Sequence, residues 1–259
     1  MAAEGRLAGR RALVTGASSG IGEATARLLA AEGACVALLA RRAAELRRTA
    51  ADLPGAIAVP ADVSDHRAVI DALDSAEAQI GPVDIIVNCA GVIGPQPLED
   101  LTPQVWDQTV AINLSGPFYL GREGGLRMRG RGGGHIVNVA SDLAFTAMPG
   151  YVDYCASKAG LVGLTKGLAV ELAPHVLVNA VAPGPVDTPM MDHELATDPD
   201  PEAARQATLR RVPLLRIAGP GEVARAILFL VTDAGYTTGS VLRIDGGVTA
   251  LSRLSGDVA

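Results

Sequence analysis

The sequence predicts an α/β fold in which a parallel sheet of about seven strands is covered by helices on both faces. Two observations predict it. The candidate strands are short, continuously apolar runs, the pattern of strands buried on both faces rather than on one. These runs alternate with longer helical patterns in β-α-β-α order, which calls for parallel pairing through crossover helices. No linker, repeat or low-complexity segment divides the chain, so residues 1–259 are expected to form one domain.

Taken in order, Ala12-Leu13-Val14 reads as the first strand and Ile21 to Ala31, rich in Ala and Leu, as the first helix. Val36 to Leu39 and Ile57-Ala58-Val59 are strands, separated by a helix from Ala43 to Leu53. Ser64 opens a helix reaching about Ile80, Val83 to Val87 is the fourth strand, and a long helix starts at about Pro103. Ile136 to Val139 is followed by a helix from Tyr151 to Leu172, then a strand from Val176 to Val181. A helix from Glu222 to Val231 and a strand from Val241 to Ile244 complete the series. Thr188 to Pro213 is too long for an ordinary connection. It leaves the carboxyl end of a strand, where open α/β sheets place their ligands, and so reads as a lid.

Composition excludes several classes. The 259 residues are 49% hydrophobic and carry a formal charge of -6, which argues against nucleic acid, since phosphate backbones call for a basic surface. The pairs Arg41-Arg42 and Arg47-Arg48 and the stretch from Arg127 to Arg131 read as solvated helix faces. Cys35, Cys89 and Cys155 lack Cys-x-x-Cys spacing; Cys35 and Cys89, among apolar or small neighbours, are expected as buried thiols. His66, His135, His175 and His193 have no ligand spacing, so no metal site is expected. Met1 to Arg6 lack the apolar stretch of a signal peptide and no run of eighteen apolar residues occurs. A cytoplasmic protein that does not enter membranes is the expectation.

Two patterns carry chemistry. Thr15-Gly16-Ala17-Ser18-Ser19-Gly20-Ile21-Gly22 joins the first strand to the first helix. Its glycines let an anion approach the main chain, and the helix start offers unpaired N–H groups and a partial positive charge. This is a phosphate cradle with Gly-x-x-x-Gly-x-Gly spacing. Farther along, Tyr154 and Lys158 stand four residues apart on one helix face, with Ser141 upstream. A phenol with an ordinary pKa of roughly 10 exchanges protons poorly at neutral pH until a cation stabilises its anion.

These motifs, with Asn88-Cys89-Ala90-Gly91 after the fourth strand, Asn113 in the next helix and Pro183-Gly184 after the sixth strand, resemble the short-chain dehydrogenase/reductases over about Leu7 to Gly247. The resemblance implies a Rossmann-type doubly wound sheet and hydride transfer between a nicotinamide and a carbonyl or alcohol. It implies Tyr154 as general acid or base, Lys158 as the group that lowers its pKa and holds the nicotinamide ribose, and Ser141 as a donor to the carbonyl oxygen. Asn113 is implied to position a water linking Lys158 to solvent. For the dinucleotide it implies Gly16, Ser18, Ser19, Gly20, Ile21 and Gly22 in the turn, Asp62 and Val63 at the adenine, and Asn88, Ala90 and Gly91 beyond the fourth strand. Pro183, Gly184, Val186 and Thr188, with Tyr154 and Lys158, complete that set. Cys89 stands where the family commonly has a second Asn, a change expected to be structural and modest.

At the end of the second strand Ala40 replaces the acidic residue that would bind ribose hydroxyls, and Arg41 can pair with a 2′-phosphate, so NADP(H) is expected over NAD(H). The lid, about 185–212, offers Met190, Met191, Leu195 and Leu209 as apolar lining, with His193 and Arg210 as polar candidates. Asp142, Leu143, Met148 and Val152 flank the serine and tyrosine. The leading expectation is a ketone or aldehyde reductase, the alternatives being 3-oxoacyl-[acyl-carrier-protein] reduction and a non-catalytic dinucleotide-binding scaffold. Arginines docking an acidic carrier are expected near the end of the Tyr154 helix, which reads Ala173-Pro174-His175, leaving Arg129 or Arg131 to supply one. Small residues Ala159, Gly160, Gly163 and Gly167 on that helix suggest a face for close helix approach in a homotetramer.

Overall fold

The computed structural model describes residues 5–251, so Met1 to Glu4 of the amino-terminal reading lie outside the described residues. Seven parallel strands form one sheet: β1 (Arg11–Thr15), β2 (Cys35–Ala40), β3 (Ile57–Pro60), β4 (Ile85–Asn88), β5 (Gly134–Val139), β6 (Val176–Pro183) and β7 (Val241–Ile244). Their order is β3-β2-β1-β4-β5-β6-β7, which reverses direction between β1 and β4. Helices α1 (Gly20–Ala31), α2 (Ala43–Ala51) and α3 (His66–Ile80) belong to the first half. The second half carries α4 (Pro103–Val110), α5 (Gly116–Gly130), α6 (Val152–Leu172), α7 (Pro189–Leu195), α8 (Pro201–Arg211) and α9 (Pro220–Thr232).

The continuous apolar runs are explained by two cores. Ala12 and Val14 of β1 face a cluster with Leu29 of α1 and Ile227 of α9. Leu13, between them, faces the opposite cluster with Leu73 of α3 and Leu120 of α5. Successive side chains of a strand point to opposite faces, so a strand covered on both sides has no polar position to offer.

Several boundaries moved for local reasons. Helix α3 begins at His66, not Ser64, because Asp65 caps it, accepting from the backbone N–H groups of Arg67 and Ala68. Ser64 is instead bound to Asp62, its N–H and Oγ both lying within 2.9 Å of Oδ1. The long helix expected from Pro103 is interrupted by a π-helical turn at Ala111–Ser115. Pro117 has no N–H to return to the Asn113 carbonyl four residues earlier, so the α-helical ladder cannot continue there. The lid folds as two helices, α7 and α8, rather than one. Thr188 caps α7, its Oγ1 accepting from Met191 N at 3.4 Å.

Two expectations are corrected. Cys35 is exposed, because it is the first residue of β2, at the amino-terminal rim of the sheet. Cys89 is packed against the core as expected, and burial pushes its thiol up to about 12. Of the small residues on α6, Gly160 packs within its own chain, where a Cβ would come 2.9 Å from Leu114. A Cβ at Gly163 or Gly167 would meet nothing within 4 Å.

Candidate active site

The carboxyl ends of the strands open into a cleft of about 1380 Å³. One wall is the β1–α1 turn. Gly16 has φ +64, and a Cβ there would lie 2.9 Å from the Ala90 backbone nitrogen, so the turn requires glycine. Thr15 Oγ1 accepts from both Cys89 N (3.0 Å) and Ala90 N (2.9 Å), tying the end of β1 to the segment after β4. Gly16, Ser18, Ser19, Gly20, Ile21 and Gly22 all line the cleft, as do Arg41, Asp62 and Val63. Ala90, Gly91, Pro183, Gly184, Val186 and Thr188 line it farther along.

Asn88 and Asn113 do not line it; they brace it from behind. Asn88 Nδ2 donates to Asn138 Oδ1 at 2.8 Å, and Asn138 Nδ2 donates to Thr165 Oγ1 at 2.9 Å, joining β4, β5 and α6. Asn113, fully buried in the π turn, accepts from Val92 N (2.8 Å) and donates to Val92 O (2.9 Å) and Ser157 Oγ (3.2 Å). Its side chain therefore clamps the segment after β4 to α6.

At the far end of the cleft Ser141, Tyr154 and Lys158 come together, each buried. Lys158 Nζ donates to the Val139 carbonyl at 2.8 Å and lies 5.6 Å from the centroid of the Tyr154 ring. Burial lowers Lys158 to about 8. Tyr154 is raised well above the ordinary phenol value, by burial first, then by the carboxylates of Asp142 and Glu194; the Ser141 hydroxyl acts in the opposite direction. The Lys158 ammonium thus faces the Tyr154 ring while it is bound to a backbone carbonyl. A phenol so placed holds its proton at neutral pH.

A family model described as Enoyl-(Acyl carrier protein) reductase, one of the short-chain dehydrogenase/reductase models, matches residues 16–249. D-threitol dehydrogenase of Mycolicibacterium smegmatis is 42% identical over 94% of this chain and 94% of its own. The 3-oxoacyl-[acyl-carrier-protein] reductase of Thermotoga maritima is 39% identical over 94% and 99%, and human L-xylulose reductase 41% over 94% and 98%. A solved structure from Sinorhizobium meliloti, provisionally described as a short-chain alcohol dehydrogenase, superposes with a TM-score of 0.88 at 38% identity, covering 94% of this chain and 98% of its own. The chain belongs to the short-chain dehydrogenase/reductase family.

Short-chain dehydrogenase/reductases use a nicotinamide dinucleotide, and the cleft fits one. It runs from the glycine turn to Tyr154, and the turn keeps its shape because Gly16 and Gly22 lack a Cβ, which at either position would strike backbone atoms. When bound, that group supplies or accepts the hydride; the chain's own residues must bind it, orient the substrate oxygen and move the proton.

Sequence reasoning passed over four site residues. Arg42 Nη2 donates to Ser18 Oγ (3.0 Å) and Ser19 Oγ (2.9 Å), whereas Arg41 is drawn 3.8 Å from Asp62. Burial would raise Asp62, but the Ser64 hydrogen bonds and then Arg41 outweigh it and hold the carboxyl below its usual range. Tyr151 donates to Glu194 Oε1 of α7, and both line the end of the cleft that holds Tyr154. Arg211 of α8 lines that end, in place of its neighbour Arg210, which is exposed and lies outside the cleft. The i,i+3 relation of Tyr151 to Tyr154 was a readable signal; the lid residues offered none, since their meeting depends on how α7 and α8 dock. Met190, Met191, His193, Leu195, Asp142, Leu143 and Met148 line the cleft. Leu209 lies outside it, and so does Val152, which is exposed on the outer side of α6.

Proposed function

We propose that the protein is an NADP(H)-dependent oxidoreductase that interconverts a ketone or aldehyde with its alcohol. The observation that carries this is the convergence of a protonated, buried Tyr154 with Ser141 and Lys158 at one end of a dinucleotide-sized cleft. In the reducing direction the Tyr154 hydroxyl gives its proton to the carbonyl oxygen as hydride reaches the carbonyl carbon, and Ser141 holds that oxygen in place. Lys158 supplies a positive charge beside the phenolate that forms. The test is optical: NADPH oxidation against diketones, quinones, keto acids and 3-oxoacyl thioesters. No turnover across that panel would overturn the reading.

The preference for NADP(H) rests on Arg42 and the two serines it binds. Their three polar groups and the start of α1 surround a point suited to a phosphate, while Ala40 offers no carboxylate to ribose hydroxyls. Arg42→Ala is expected to raise the NADPH KM roughly tenfold or more, the scale of one charge-assisted contact, with little effect on NADH. Arg41→Ala should do less, because Asp62 shares its charge. A tenfold preference for NADH in the unmodified enzyme would refute the assignment.

A second reading, 3-oxoacyl-carrier reduction, draws on Arg129. This exposed arginine of α5 donates to the Glu171 carbonyl at 3.3 Å, next to the end of α6, while Arg131 is engaged with Glu77. Efficient turnover of acetoacetyl thioesters that Arg129→Glu weakens would favour it over simple ketones.

The assembly follows from α6. Gly163 and Gly167 are open to solvent beside exposed Val170, a surface shaped for close approach of a second copy. A homotetramer is expected in light scattering, and a monomer would sink the proposal. In the cell the protein is read as cytoplasmic and without nucleic-acid partners; no helix among the described residues is long and apolar enough to cross a membrane.

A further inference from the structure

Ser141 is expected to donate a hydrogen bond to a substrate carbonyl, yet its own hydroxyl proton is already directed elsewhere. Ser141 Oγ donates to Asp142 Oδ1 at 2.9 Å and accepts from Leu143 N at 3.1 Å. Leu143 N also donates to Asp142 Oδ1 at 2.9 Å, so the carboxylate is fixed where it receives the serine proton. A hydroxyl has one proton and two lone pairs. With that proton given to Asp142 and one lone pair given to Leu143, Ser141 keeps one lone pair, an acceptor, for the cleft, where the Tyr154 hydroxyl is its neighbour.

The geometry points to Asp142 as a positioning residue that sets the hydrogen-bond polarity of Ser141. When Asp142 is ionised, Ser141 accepts, the polarity that suits an incoming alcohol O–H. When Asp142 is protonated, the carboxyl becomes a neutral acceptor about half as strong, and the serine proton becomes available to a carbonyl oxygen. The proton Asp142 binds comes from solvent and stays on the carboxyl; no bond to substrate forms.

The surroundings make such a change accessible. Asp142 and Ser141 are each 6% exposed, and burial raises the carboxyl above its ordinary range. The Ser141 hydrogen bond, the charge of Arg211 from α8 and the Leu143 N–H act against burial, while Asp245 after β7 adds to it. From α6 the groups facing Asp142 are Tyr154 and Cys155, and burial pushes both of them up. Beyond these stand Tyr151 and Glu194, bound to each other, and Glu194 adds to the negative charge felt by Tyr154. Among the described residues Arg211 is the cation that acts most on Asp142, amid several acids. The sign follows: carbonyl reduction is favoured below the Asp142 midpoint, and the gain is lost as pH rises through it. Because the midpoint is raised, that loss falls above the ordinary Asp range.

The inference rests on the carbonyl–alcohol reaction proposed above, and two measurements separate the two. The first needs no turnover: difference infrared spectra of the unmodified protein against Asp142→Asn. A protonated-carboxyl C=O band should appear with a raised midpoint, be absent from the variant and shift in Ser141→Ala. A missing band, or one indifferent to Ser141, overturns the role of Asp142. The second is the pH profile of kcat/KM for reduction of 2,3-butanedione at saturating NADPH. The unmodified enzyme should fall about tenfold through the band's midpoint, the scale of one charge-assisted hydrogen bond. Asp142→Ala and Asp142→Asn should both lose that step, with Asp142→Asn, an uncharged acceptor in the same place, the slower of the two. In a Ser141→Ala background the Asp142 substitutions should change nothing further. A step that persists in Asp142→Ala overturns the inference. Failure of every carbonyl substrate with the band intact overturns the proposed reaction instead, and with it the need for a polarity control.

Discussion

Tyr154→Phe is expected to lower kcat/KM by about 10²–10⁴-fold, the range that a positioned proton donor contributes. The change removes one oxygen and keeps the ring, which packs with Leu143 and Tyr151 beside Ile93 and Met148. Folding and dinucleotide binding should therefore survive, and fluorescence titration with NADPH is the control. Burial and the neighbouring carboxylates hold the phenol's proton in place, so what is lost is an acid already loaded for donation. Turnover retained within about tenfold would remove Tyr154 from the mechanism and leave Ser141 or solvent as the proton source.

Gly22→Ala is the second large effect, and it acts on a different quantity. A Cβ at this position would stand 2.4 Å from the Gly16 carbonyl oxygen, 2.7 Å from the Gly16 carbonyl carbon and 3.0 Å from the Thr15 carbonyl oxygen. All three are backbone atoms, so no side chain can turn aside and relieve the clash. Either α1 moves away from the end of β1 or the glycine turn deforms, and both disrupt the phosphate cradle. Destabilisation of about 1–3 kcal/mol is expected from such overpacking, read as a lower urea midpoint. Dinucleotide affinity should fall at least roughly tenfold by calorimetry, since each 1.4 kcal/mol lost is tenfold. A variant with unchanged stability and unchanged affinity would show that the turn is more compliant than its geometry implies.

These two residues also show how differently information is stored along the chain. Gly22 was readable because its constraint is local: a strand, a tight turn and a helix start within a few residues demand a missing side chain. Tyr154 and Lys158 were readable for the same reason, a four-residue spacing on one helix. Arg42 was not. Whether Arg41 or its neighbour reaches the glycine turn depends on the phase at which α2 leaves β2 and on Asp62 capturing the other arginine. The π turn that buries Asn113 could have been anticipated from Pro117, whose missing N–H breaks the ladder four residues back. The meeting of Tyr151 with Glu194 could not, because α7 and α8 pack on the cleft through contacts far apart in sequence.

What the sequence determined by itself is the sheet, its crossovers, the glycine turn and the spacing of serine, tyrosine and lysine. Apolar runs, turn residues and helix periodicity are properties of short segments, and their physics acts before any tertiary contact forms. The tertiary structure alone decided the protonation balance and polarity of the site. It turned Lys158 toward Val139, held the Tyr154 proton in place and brought Arg211 and Asp245 to Asp142. Those outcomes depend on burial and on charges brought from α7, α8 and the end of β7, and electrostatic effects in a dry cleft are set by distance in space rather than by distance along the chain.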